Sequence, residues 1–376
     1  MTSGKRLRLG VDFHEWDGIF QGSRSHVLNI YKEAIKASPD VEFVFFLGDT
    51  SSLAAQHSEF RSANVTLVHM PAGHGLVRLG VRLPYLCWRH RIDVLHTQYR
   101  VPFVRPSAVA CTIHDVLFET HPQFFSPGFI KEARFTFRLA ARRAALLLTV
   151  SQYSKNELCR LYGADPGKVR VTYNGVDRHR FFPGNDGAKQ VADLGLTCGH
   201  YILVVGRLEP RKNHLALIEA WVRLGPDAPP LVIVGQEDPN FPNVKLAIER
   251  AAMANKVMLF SQLGDDVLPA VIRHAGLFVY PAFAEGFGMP VAEAMASGVP
   301  VITSNTTSLP EVAGDGALLF NPSSTDELFE TMKKALGMTP AERGQLVQRA
   351  LARVEQFEWR RSADVLMQGL MSLRVR

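Results

Sequence analysis

Long apolar runs, clustered cysteines and a secretion signal are all missing from this sequence. No apolar stretch approaches the ~20 residues that a bilayer-spanning helix needs. The N-terminus passes from polar and basic residues into a strand-like run, without the apolar core and cleavage site of a signal peptide. The cysteines lie far apart without a CxxC pair, so neither a disulfide framework nor a zinc ribbon has its usual spacing: Cys87, Cys111, Cys159 and Cys198. These absences predict a cytoplasmic protein.

Nucleotide-hydrolysis and nucleic-acid signatures are missing as well. Neither a GxxxxGK(S/T) phosphate loop nor a GxGxxG after a strand is present, which argues against nucleoside-triphosphate hydrolysis and dinucleotide oxidoreduction. Basic residues are scattered among apolar ones without an aromatic stacking surface, so no nucleic-acid partner is expected. Acidic pairs with metal-ligand spacing are also lacking, so the sequence predicts no metal site.

What is present indicates two α/β domains. The 376 residues are 47% hydrophobic and 21% charged, and at about 150 residues per domain this length predicts two globular domains. Short apolar runs alternate with helical stretches, a pattern typical of parallel sheets. The expected strands are Arg6–Phe13, Glu42–Gly48, Val65–Met70, Asp93–Gln98, Val109–His114, Ala145–Ser151, Val169–Asn174, Tyr201–Gly206, Leu231–Gly235, Val257–Ser261, Leu277–Pro281, Val299–Thr303 and Ala317–Asn321.

A domain boundary is predicted near Pro183. Residues Phe181–Gly187 contain one proline, two glycines, an asparagine and an aspartate, a composition that resists regular structure. The first domain then covers residues 1–182 and the second covers residues 183–358. After the last expected strand we predict a helical tail over Thr325–Leu336, Pro340–Phe357 and Trp359–Leu373.

Positive charge is concentrated in the first half. The net charge is +6, but residues 51–150 alone hold 12 basic and 5 acidic residues. This surplus indicates either an anionic partner or ordinary solvated arginines on helix faces. Residues Gly75–Arg91 mix arginine with leucine, tyrosine and tryptophan, although Pro84 would kink a helix there. Such a helix either lies at a membrane interface or belongs to the core with cationic outer positions. Lys131–Arg143 has the same two interpretations, so a peripheral location at the inner face of a membrane is one expectation.

The segment Leu277–Thr303 reads as strand, loop, helix and strand. Pro290 suits the first position of a helix and Gly298 the position after its end, so we predict a helix over Pro290–Ser297 with Glu293 in its first turn. The backbone amides of Gly286, Phe287 and Gly288 then converge with the positive end of the helix dipole. That arrangement favours an anion or a sugar hydroxyl.

Two carboxylates stand eight residues apart in this segment. Glu285 on the loop and Glu293 in the helix are expected to face one cleft at different depths, where paired carboxylates accept hydrogen bonds from several hydroxyls. The alternative is that Glu293 stabilises the N-terminus of its own helix while Glu285 is a solvated loop residue.

Cations and a histidine follow two other predicted strands. Arg207 and Lys212 come after Tyr201–Gly206, at the strand end where open α/β sheets bind ligands, and two fixed cations there neutralise a diphosphate. The alternative is that both are surface residues of a loop. His114 ends an apolar strand beside Asp115, and a lone histidine in that position is more often structural than catalytic.

The string Leu277–Thr303 resembles the E-x7-E signature of retaining glycosyltransferases with the GT-B architecture, in particular family GT4, which includes bacterial mannosyltransferases. The resemblance runs from about residue 93 to the C-terminus. Further segments similar to the family are Thr112–Asp115, Val150–Ser154, Asn174–Asp177, Val205–Asn213, Phe357–Trp359 and Ser362–Ala363.

The resemblance implies a fold and a set of roles. Two Rossmann-like domains would face a central cleft, with residues 359–376 crossing back onto the first domain as a helix. It implies that the second domain binds a nucleotide sugar and the first an acceptor. Glu285 and the amides of Gly286, Phe287 and Gly288 would hold sugar hydroxyls, and Glu293 the ribose. Arg207, Lys212 and the turn at Gly206 would bind the diphosphate, and His114 would meet the sugar from across the cleft.

The N-terminal end departs from the family pattern. A glycine-rich loop is usual after the first strand, and here Asp17–Ser25 has Gly18 and Gly22 but Arg24 where a second close glycine is common. Through the resemblance, Gly22 is assigned to the donor site. Arg24 either contacts an anion or faces solvent on the first helix. The tripeptide Glu15–Asp17 resembles an acidic metal motif of another glycosyltransferase architecture, and the rest of the chain contradicts that assignment.

Taken with the resemblance, these residues predict a retaining glycosyltransferase. The expected donor is GDP-mannose, the expected acceptor is a saccharide or a lipid-linked saccharide, and no cofactor or metal is required, because cations and a helix N-terminus balance the diphosphate. The alternatives are a UDP-sugar donor, a sugar-nucleotide epimerase of similar fold, and a non-catalytic sugar-binding protein. The paired cations disfavour the last of these.

Overall fold

A computed structural model describes residues 6–18, 22–105, 107–238, 241–253, 257–264 and 266–373. Each expected strand is present, with ends that differ by at most three residues from the prediction. They are β1 (Leu7–Asp12), β2 (Val41–Leu47), β3 (Val65–His69), β4 (Val94–Gln98), β5 (Ala108–Thr112), β6 (Leu146–Thr149), β7 (Val169–Val171), β8 (Ile202–Val205), β9 (Leu231–Val234), β10 (Val257–Phe260), β11 (Leu277–Tyr280), β12 (Val301–Ser304) and β13 (Leu318–Phe320).

The first unit comprises residues 1–175 and 357–376 and contains a seven-stranded parallel sheet in the order β3-β2-β1-β4-β5-β6-β7. Its strands are apolar on both faces, as β2 illustrates, where every residue except Glu42 is buried. Such strands need helices on both sides. The helices are α1 (Gly22–Ala37), α2 (Thr50–Gln56), α3 (Gly75–Val77), α4 (Leu83–Arg89), α5 (Leu117–Thr120), α6 (Pro127–Arg143), α7 (Gln152–Tyr162) and, last in the chain, α16 (Trp359–Ser372).

The second unit comprises residues 176–356 and contains a six-stranded parallel sheet in the order β10-β9-β8-β11-β12-β13. Its core joins apolar residues of the strands with those of the flanking helices, among them Leu217, Trp221 and Met332. The helices are α8 (Ala188–Asp193), α9 (His214–Arg223), α10 (Pro242–Met253), α11 (Val267–Arg273), α12 (Met289–Ala296), α13 (Leu309–Ala313), α14 (Thr325–Leu336) and α15 (Pro340–Val354). These two sheets confirm the predicted fold class.

The division between the units falls at Gly175 and Val176, seven residues before the boundary expected near Pro183. The guanidinium of Arg273 holds the intervening segment to the second unit, since it donates to the carbonyl oxygens of Arg180, Phe182 and Asp186 at 2.7–2.8 Å. The Pro-Gly-rich stretch is thus irregular, as its composition predicts, but it is anchored by tertiary hydrogen bonds. A boundary argued from composition alone is therefore displaced.

The C-terminal helix α16 belongs to the first unit, as predicted. Its apolar face, with Ala363, Leu366 and Leu370 fully buried, completes the core beside α1. The hydroxyl of Ser362 donates to the carbonyl of Tyr173 at 2.6 Å. A Cβ at Gly175 would collide with the backbone and ring of Trp359, so a glycine is required at this crossing point.

Candidate active site

The candidate site lies where the strand order of the second sheet reverses. The chain runs from β8 outward to β10, returns to β11 beside β8, and then runs outward in the other direction. The loops after β8 and β11 therefore leave the sheet side by side at their carboxyl ends, where open α/β sheets bind ligands. Those two loops carry most of the residues singled out in the sequence.

Glu285 is the centre of a hydrogen-bonded cluster. Its carboxylate oxygen Oε1 accepts from the Nζ of Lys212 and, at 2.8 Å, from the hydroxyl of Tyr280. The second oxygen, Oε2, lies 3.1 Å from Nη1 of Arg211, which also donates to the carbonyl of Ala284 at 2.7 Å. Glu285 is only 9% exposed, so these partners replace most of the water that a free carboxylate would bind.

The charges of this cluster are balanced. Burial alone would raise the pKa of Glu285, but the cations of Arg211 and Lys212 and two hydrogen bonds outweigh burial and lower it to about 2. Glu209 accepts a further hydrogen bond from Nη2 of Arg211 at 2.6 Å. Glu285 is therefore ionised across the whole physiological range and held in one orientation.

The backbone around Glu285 is fixed by the hydroxyls that follow β12. The amide of Glu285 donates to Oγ1 of Thr307 at 3.0 Å, and Oγ of Ser308 donates to the carbonyls of Glu285 and Phe287 at 2.8 and 3.0 Å. Gly288 has φ of 103°, and a Cβ there would strike Leu309 at 2.6 Å. Glycine is required at this position to turn the chain into α12.

The helix α12 begins at Met289, with Pro290 in its first turn, and Gly298 follows its end with φ of 73°. The predicted start and end are each correct to within one residue. Glu293 is the fifth residue of the helix and lies in its second turn, so its predicted place in the first turn is wrong. The helix begins one residue earlier than predicted because Gly288, and not Met289, supplies the turn.

Glu293 has a different environment from that of Glu285. Burial raises its pKa to about 7, and the nearest opposing charge is Arg180, in the turn that follows the unit boundary. Among the hydrogen bonds and ion pairs of the described residues, none joins Glu293 to Glu285 or to the Lys212 cluster. The two carboxylates thus belong to one segment but have separate partners.

Arg207 and Gly206 lie at the end of β8. The amide of Gly206 donates to the carbonyl of Val234 at 2.9 Å, and its carbonyl lies so close to Gly235 that a Cβ there would collide with it. The Arg207 side chain is half-buried and forms no ion pair with any described residue. Arg211 and Lys212 on the same loop each pair with a carboxylate, so within the described part of the chain Arg207 is the cation of this loop that has no acidic partner.

His114 lies in the first unit, two residues after β5, and is 6% exposed. Its Nε2 is 3.0 Å from Oε1 of Gln98 at the end of β4, and its carbonyl accepts from Oγ1 of Thr149 at 3.2 Å. The rings of His26 and Tyr99 lie 4.9 and 5.2 Å away. Burial, with the neighbouring histidines, lowers the pKa of His114, so the ring is neutral at pH 7.

Gly22 is the first residue of α1, and no atom of the described residues lies within 4 Å of the Cβ that a larger residue would bring. Packing against the described part of the chain therefore does not require glycine there. The guanidinium of Arg24 lies 4.2 Å above the ring of Trp16. Residues 19–21 of the loop that was compared with the family's glycine-rich loop lie outside the described residues.

Sequence reasoning missed Arg211, Tyr280, Thr307 and Ser308. Arg211 and Lys212 belong to the short 3-10 helix Pro210–Lys212, which ends at Asn213 in the left-handed conformation with φ of 58°. That turn directs Arg211 to Glu285, whereas the sequence favoured Arg207 as the partner cation of Lys212. The adjacency of Arg211 to Lys212 was the available signal.

Across the described residues, no three histidine, cysteine or acidic side chains converge as a metal-ligand set.

Comparison with known families places most of the chain in one enzyme family. Residues 195–352 match the family of glycosyl transferases group 1, and residues 20–180 match glycosyltransferase family 4. The second match includes the N-terminal residues that depart from the expected glycine-rich pattern. Together the two matches cover both units.

Several bacterial mannosyltransferases are similar in sequence. O-antigen chain mannosyltransferase B of Escherichia coli is 30% identical over 253 residues, which are 66% of this chain and 66% of that protein. O-antigen chain mannosyltransferase RfbU of Salmonella typhimurium is 29% identical over 61% of this chain and 60% of its own length. The MMP alpha-(1->4)-mannosyltransferase of Mycolicibacterium hassiacum is 33% identical over 58% of this chain and 52% of its own length. The chain thus matches about half to two thirds of the length of these relatives.

Solved structures share the fold over nearly the whole chain. Sucrose-phosphate synthase from Thermosynechococcus elongatus matches 98% of this chain and 99% of its own, with a TM-score of 0.80 at 19% identity. Anabaena HepE in complex with UDP-glucose matches 98% of this chain and 100% of its own, with a TM-score of 0.75 at 19% identity. From the two family matches and the similarity to O-antigen chain mannosyltransferase B, the chain belongs to the group 1 glycosyltransferases of family GT4.

Proposed function

We propose that this protein is a retaining glycosyltransferase that transfers mannose from GDP-mannose to a saccharide or lipid-linked saccharide acceptor, in the synthesis of a cell-surface polysaccharide or glycolipid. The observation that carries the proposal is the cluster of Arg211, Lys212, Tyr280 and Glu285 at the reversal point of the second sheet. A fixed carboxylate beside fixed cations suits a ligand that combines sugar hydroxyls with a diphosphate.

The roles follow from the charges. Glu285, ionised and oriented, accepts hydrogen bonds from sugar hydroxyls, and the amides of Gly286, Phe287 and Gly288 donate to the same ligand. Lys212, which Glu285 holds in place, the unbalanced charge of Arg207 and the N-terminus of α12 together supply the attraction for the diphosphate. Because negative charge on the leaving diphosphate grows as the sugar–oxygen bond breaks, these groups stabilise the transition state more than the bound substrate.

In the proposed mechanism, retention of the anomeric configuration depends on the leaving phosphate, which acts as the base. The cluster around Glu285 is committed to internal ion pairs, so no carboxylate there is free to attack the sugar as a nucleophile. In the proposed step the leaving phosphate oxygen accepts the proton of the acceptor hydroxyl, the new sugar–oxygen bond forms on the same face, and the nucleoside diphosphate departs. His114, neutral and held by Gln98, is assigned by the resemblance to contact the sugar.

Metal independence is part of the proposal. In the proposal, Arg207, Lys212 and the α12 N-terminus take the place that a divalent cation would otherwise fill beside a diphosphate. The choice of GDP-mannose is supported by the relatives, which are named as mannosyltransferases. The HepE complex contains UDP-glucose, so a uridine donor is the competing choice.

A donor screen tests the proposal. Purified protein is incubated with GDP-mannose, UDP-glucose and UDP-galactose, each with excess chelator, and release of nucleoside diphosphate is measured with and without a saccharide acceptor. We expect GDP release from GDP-mannose that survives chelation and that depends on the acceptor. Turnover of a UDP-sugar alone would refute the donor, and a strict requirement for magnesium or manganese would refute the charge argument.

The anomeric configuration of the product, read from its proton coupling constants, tests retention separately. Conversion of the donor to another nucleotide sugar, with no transfer to an acceptor, would show an epimerase instead. The matched control is Glu285→Gln, which keeps the size of the side chain and removes the charge.

A further inference from the structure

The first unit exposes an apolar stripe on the helical segment formed by α3, the π-helical turn Arg78–Arg82 and α4. Its opposite face, with Leu79, Leu83 and Cys87, is buried in the core. Yet the outward positions are apolar too: Val77, Val81, Tyr85 and Trp88 follow one another at the spacing of a single helix face. The exposed fractions of Val81, Tyr85 and Trp88 are 64%, 56% and 72%.

This finding bears on the two interpretations of Gly75–Arg91. A core helix with cationic outer positions would expose its arginines and bury its aromatic residues. Instead Arg78 forms an ion pair with the buried Asp12, and Arg82 donates to the carbonyls of Pro71 and Ala72. The aromatic residues, not these two arginines, face outward.

The loop after β4 joins this stripe to helix α6. Phe103 contacts the stripe at Gly80, where a Cβ would lie 3.5 Å from its ring, and the carbonyl of Phe103 accepts from Nη1 of Arg143 at 3.0 Å. Nη1 of Arg105 donates to the carbonyl of Arg143 at 3.2 Å. Val104, which is 63% exposed, lies on this loop. The segment Gly75–Arg91, the loop Tyr99–Arg105 and α6 therefore form one continuous surface on the same face of the sheet.

Helix α6 adds cations and a groove. Lys131, Arg134, Arg138 and Arg142 recur at helical spacing along a groove of about 650 Å³ that also includes Phe135 and Leu139. Phe135 is 67% exposed. The three segments together hold eleven basic residues and one acidic residue, Glu132, which is paired with Arg100 at 3.0 Å. Outside the three segments, Glu119 pairs with Arg134 and Arg138, and Asp12 pairs with Arg78. Seven of the eleven cations form no ion pair with a described residue: Arg82, Arg89, Arg91, Arg105, Lys131, Arg142 and Arg143.

We infer that this surface docks the protein on an anionic lipid bilayer, with Trp88, Tyr85, Val81 and Phe135 entering the interface and the cations of α6 lying against lipid phosphates. The occupant follows from the combination of features. Exposed aromatic and aliphatic side chains at one helix face suit the boundary between headgroups and acyl chains, and the uniform positive charge suits anionic lipid. A polar protein partner would match the charge but leave the apolar stripe uncovered. The inference does not depend on the proposed reaction.

Tryptophan fluorescence offers a direct test, because Trp16 and Trp221 are buried and Trp359 is partly buried, whereas Trp88 is the most exposed tryptophan described. The full chain is mixed with vesicles of phosphatidylcholine with or without phosphatidylglycerol. We expect sedimentation with the anionic vesicles only, a blue shift of the emission and protection from acrylamide. The Trp88→Phe variant should still sediment but lose the blue shift. Binding without a spectral change would overturn the inference.

Separate variants test the apolar and the electrostatic contributions to vesicle binding. Trp88→Ser should weaken partitioning on the order of tenfold. Lys131→Glu with Arg142→Glu should weaken it on the order of tenfold or more, and binding of the unaltered chain should fall steeply past ~0.1 M salt. Neither Lys131 nor Arg142 forms an ion pair with a described residue, so both substitutions should leave the melting curve unchanged.

Matched controls lie in the second unit. Val222→Ser removes an exposed apolar side chain on α9, and Lys333→Glu with Lys334→Glu reverses two surface charges on α14. Neither should alter vesicle binding. Equal effects of control and test variants would overturn the inference. So would a dimer in solution that Trp88→Ser dissociates, because a second copy of the chain would then be the occupant of the stripe.

Discussion

The two sheets share a reversal of strand order but carry different side chains at it. In each, the strand order reverses beside the first strand, between β1 and β4 in the first unit and between β8 and β11 in the second. The second unit places ionised groups there, with Glu285 held between Arg211 and Lys212. The first unit has a buried ion pair there, between Asp12 at the end of β1 and Arg78, and beside it the imidazoles of His26, His96 and His114, which burial keeps neutral.

Each of these neutral imidazoles has a hydrogen-bond partner of its own. Nδ1 of His26 lies 2.7 Å from Oδ1 of Asn174, and Nδ1 of His96 lies 2.6 Å from the hydroxyl of Tyr31. Burial lowers the pKa of His26 to about 4 and that of His96 to about 3. The comparison teaches that similar topology does not determine charge. A charged edge suits a diphosphate, whereas uncharged hydrogen-bonding groups suit the hydroxyls of a sugar.

The largest expected effect is at Glu285. In Glu285→Gln, turnover should fall at least ~100-fold, the scale of losing one well-placed polar partner. Stability should also fall by on the order of 3 kcal/mol, because Arg211 and Lys212 lose the carboxylate that pairs with them. Turnover is measured well below the lower of the two melting temperatures. Glu209→Gln is the control, since it removes a partner of Arg211 but leaves Glu285 intact, and near-normal turnover in Glu285→Gln would contradict the assignment.

The next effect concerns the diphosphate. Lys212→Met and Arg207→Ala should each weaken binding of the free nucleoside diphosphate by about 10- to 100-fold, the range for one hydrogen bond to a charged group. Binding of the free nucleoside should change much less. Calorimetric titration of both ligands measures the difference, with Arg223→Ala, an exposed cation paired with Asp326, as the matched control. Equal losses for both ligands would place these residues away from the diphosphate.

Acid should destabilise the first unit through its histidines. His26 and His96 have folded pKa values below the ordinary 6.5, so each contributes stability that is present above pH 6.5 and is lost as pH falls through about 4 and 3. At one pH unit below 6.5 the loss should be about 1 kcal/mol for each residue. Denaturant unfolding at a series of pH values measures it, and His96→Gln should flatten the slope. An unchanged slope would show that His96 is not the group that titrates.

The smallest effect has the opposite pH direction. Burial raises the pKa of Glu293 from 4.5 to about 7, so its contribution to stability is present below pH 4.5 and is lost as pH rises through about 7. Glu293→Gln should therefore gain in relative stability at alkaline pH. If its carboxylate accepts hydrogen bonds from the ribose, nucleoside affinity should drop by up to about tenfold between pH 8 and pH 6, and Glu293→Gln should abolish that dependence. A pH-independent affinity in the unaltered protein would separate Glu293 from the ribose.

Periodicity in the sequence predicted the strands well for a physical reason. Parallel strands buried on both faces must be apolar throughout, so β8, β9 and β11 appear as short uninterrupted runs. Helix ends were also accurate where proline or glycine signalled them, as at Pro290 and Gly298. The motif around Glu285 was found because its glycines and carboxylates lie within one short segment.

Predictions of the domain boundary and of the partners of Glu285 were less accurate, because these features depend on tertiary contacts. The boundary near Pro183 was displaced because Arg273, some ninety residues later, holds the linker through carbonyl oxygens. Arg211 was passed over in favour of Arg207, since the direction of each side chain depends on the 3-10 turn that ends at Asn213. Tyr280 ends the strand before the Glu285 loop and Thr307 lies in the loop after β12, and their hydrogen bonds to Glu285 depend on how these loops fold beside each other.

The sequence by itself determined the α/β class, the order of strands and helices and the loop that carries Glu285, because each depends on local pattern or on a short motif. The return of α16 to the first unit was implied by the resemblance of Phe357–Trp359 to the family. Tertiary structure alone decided which cation pairs with Glu285, that Glu293 stands apart with a raised pKa, and that the aromatic residues of Gly75–Arg91 face outward. The reason is that pairing, pKa and exposure depend on neighbours brought together by the fold, and those neighbours lie far apart in the chain.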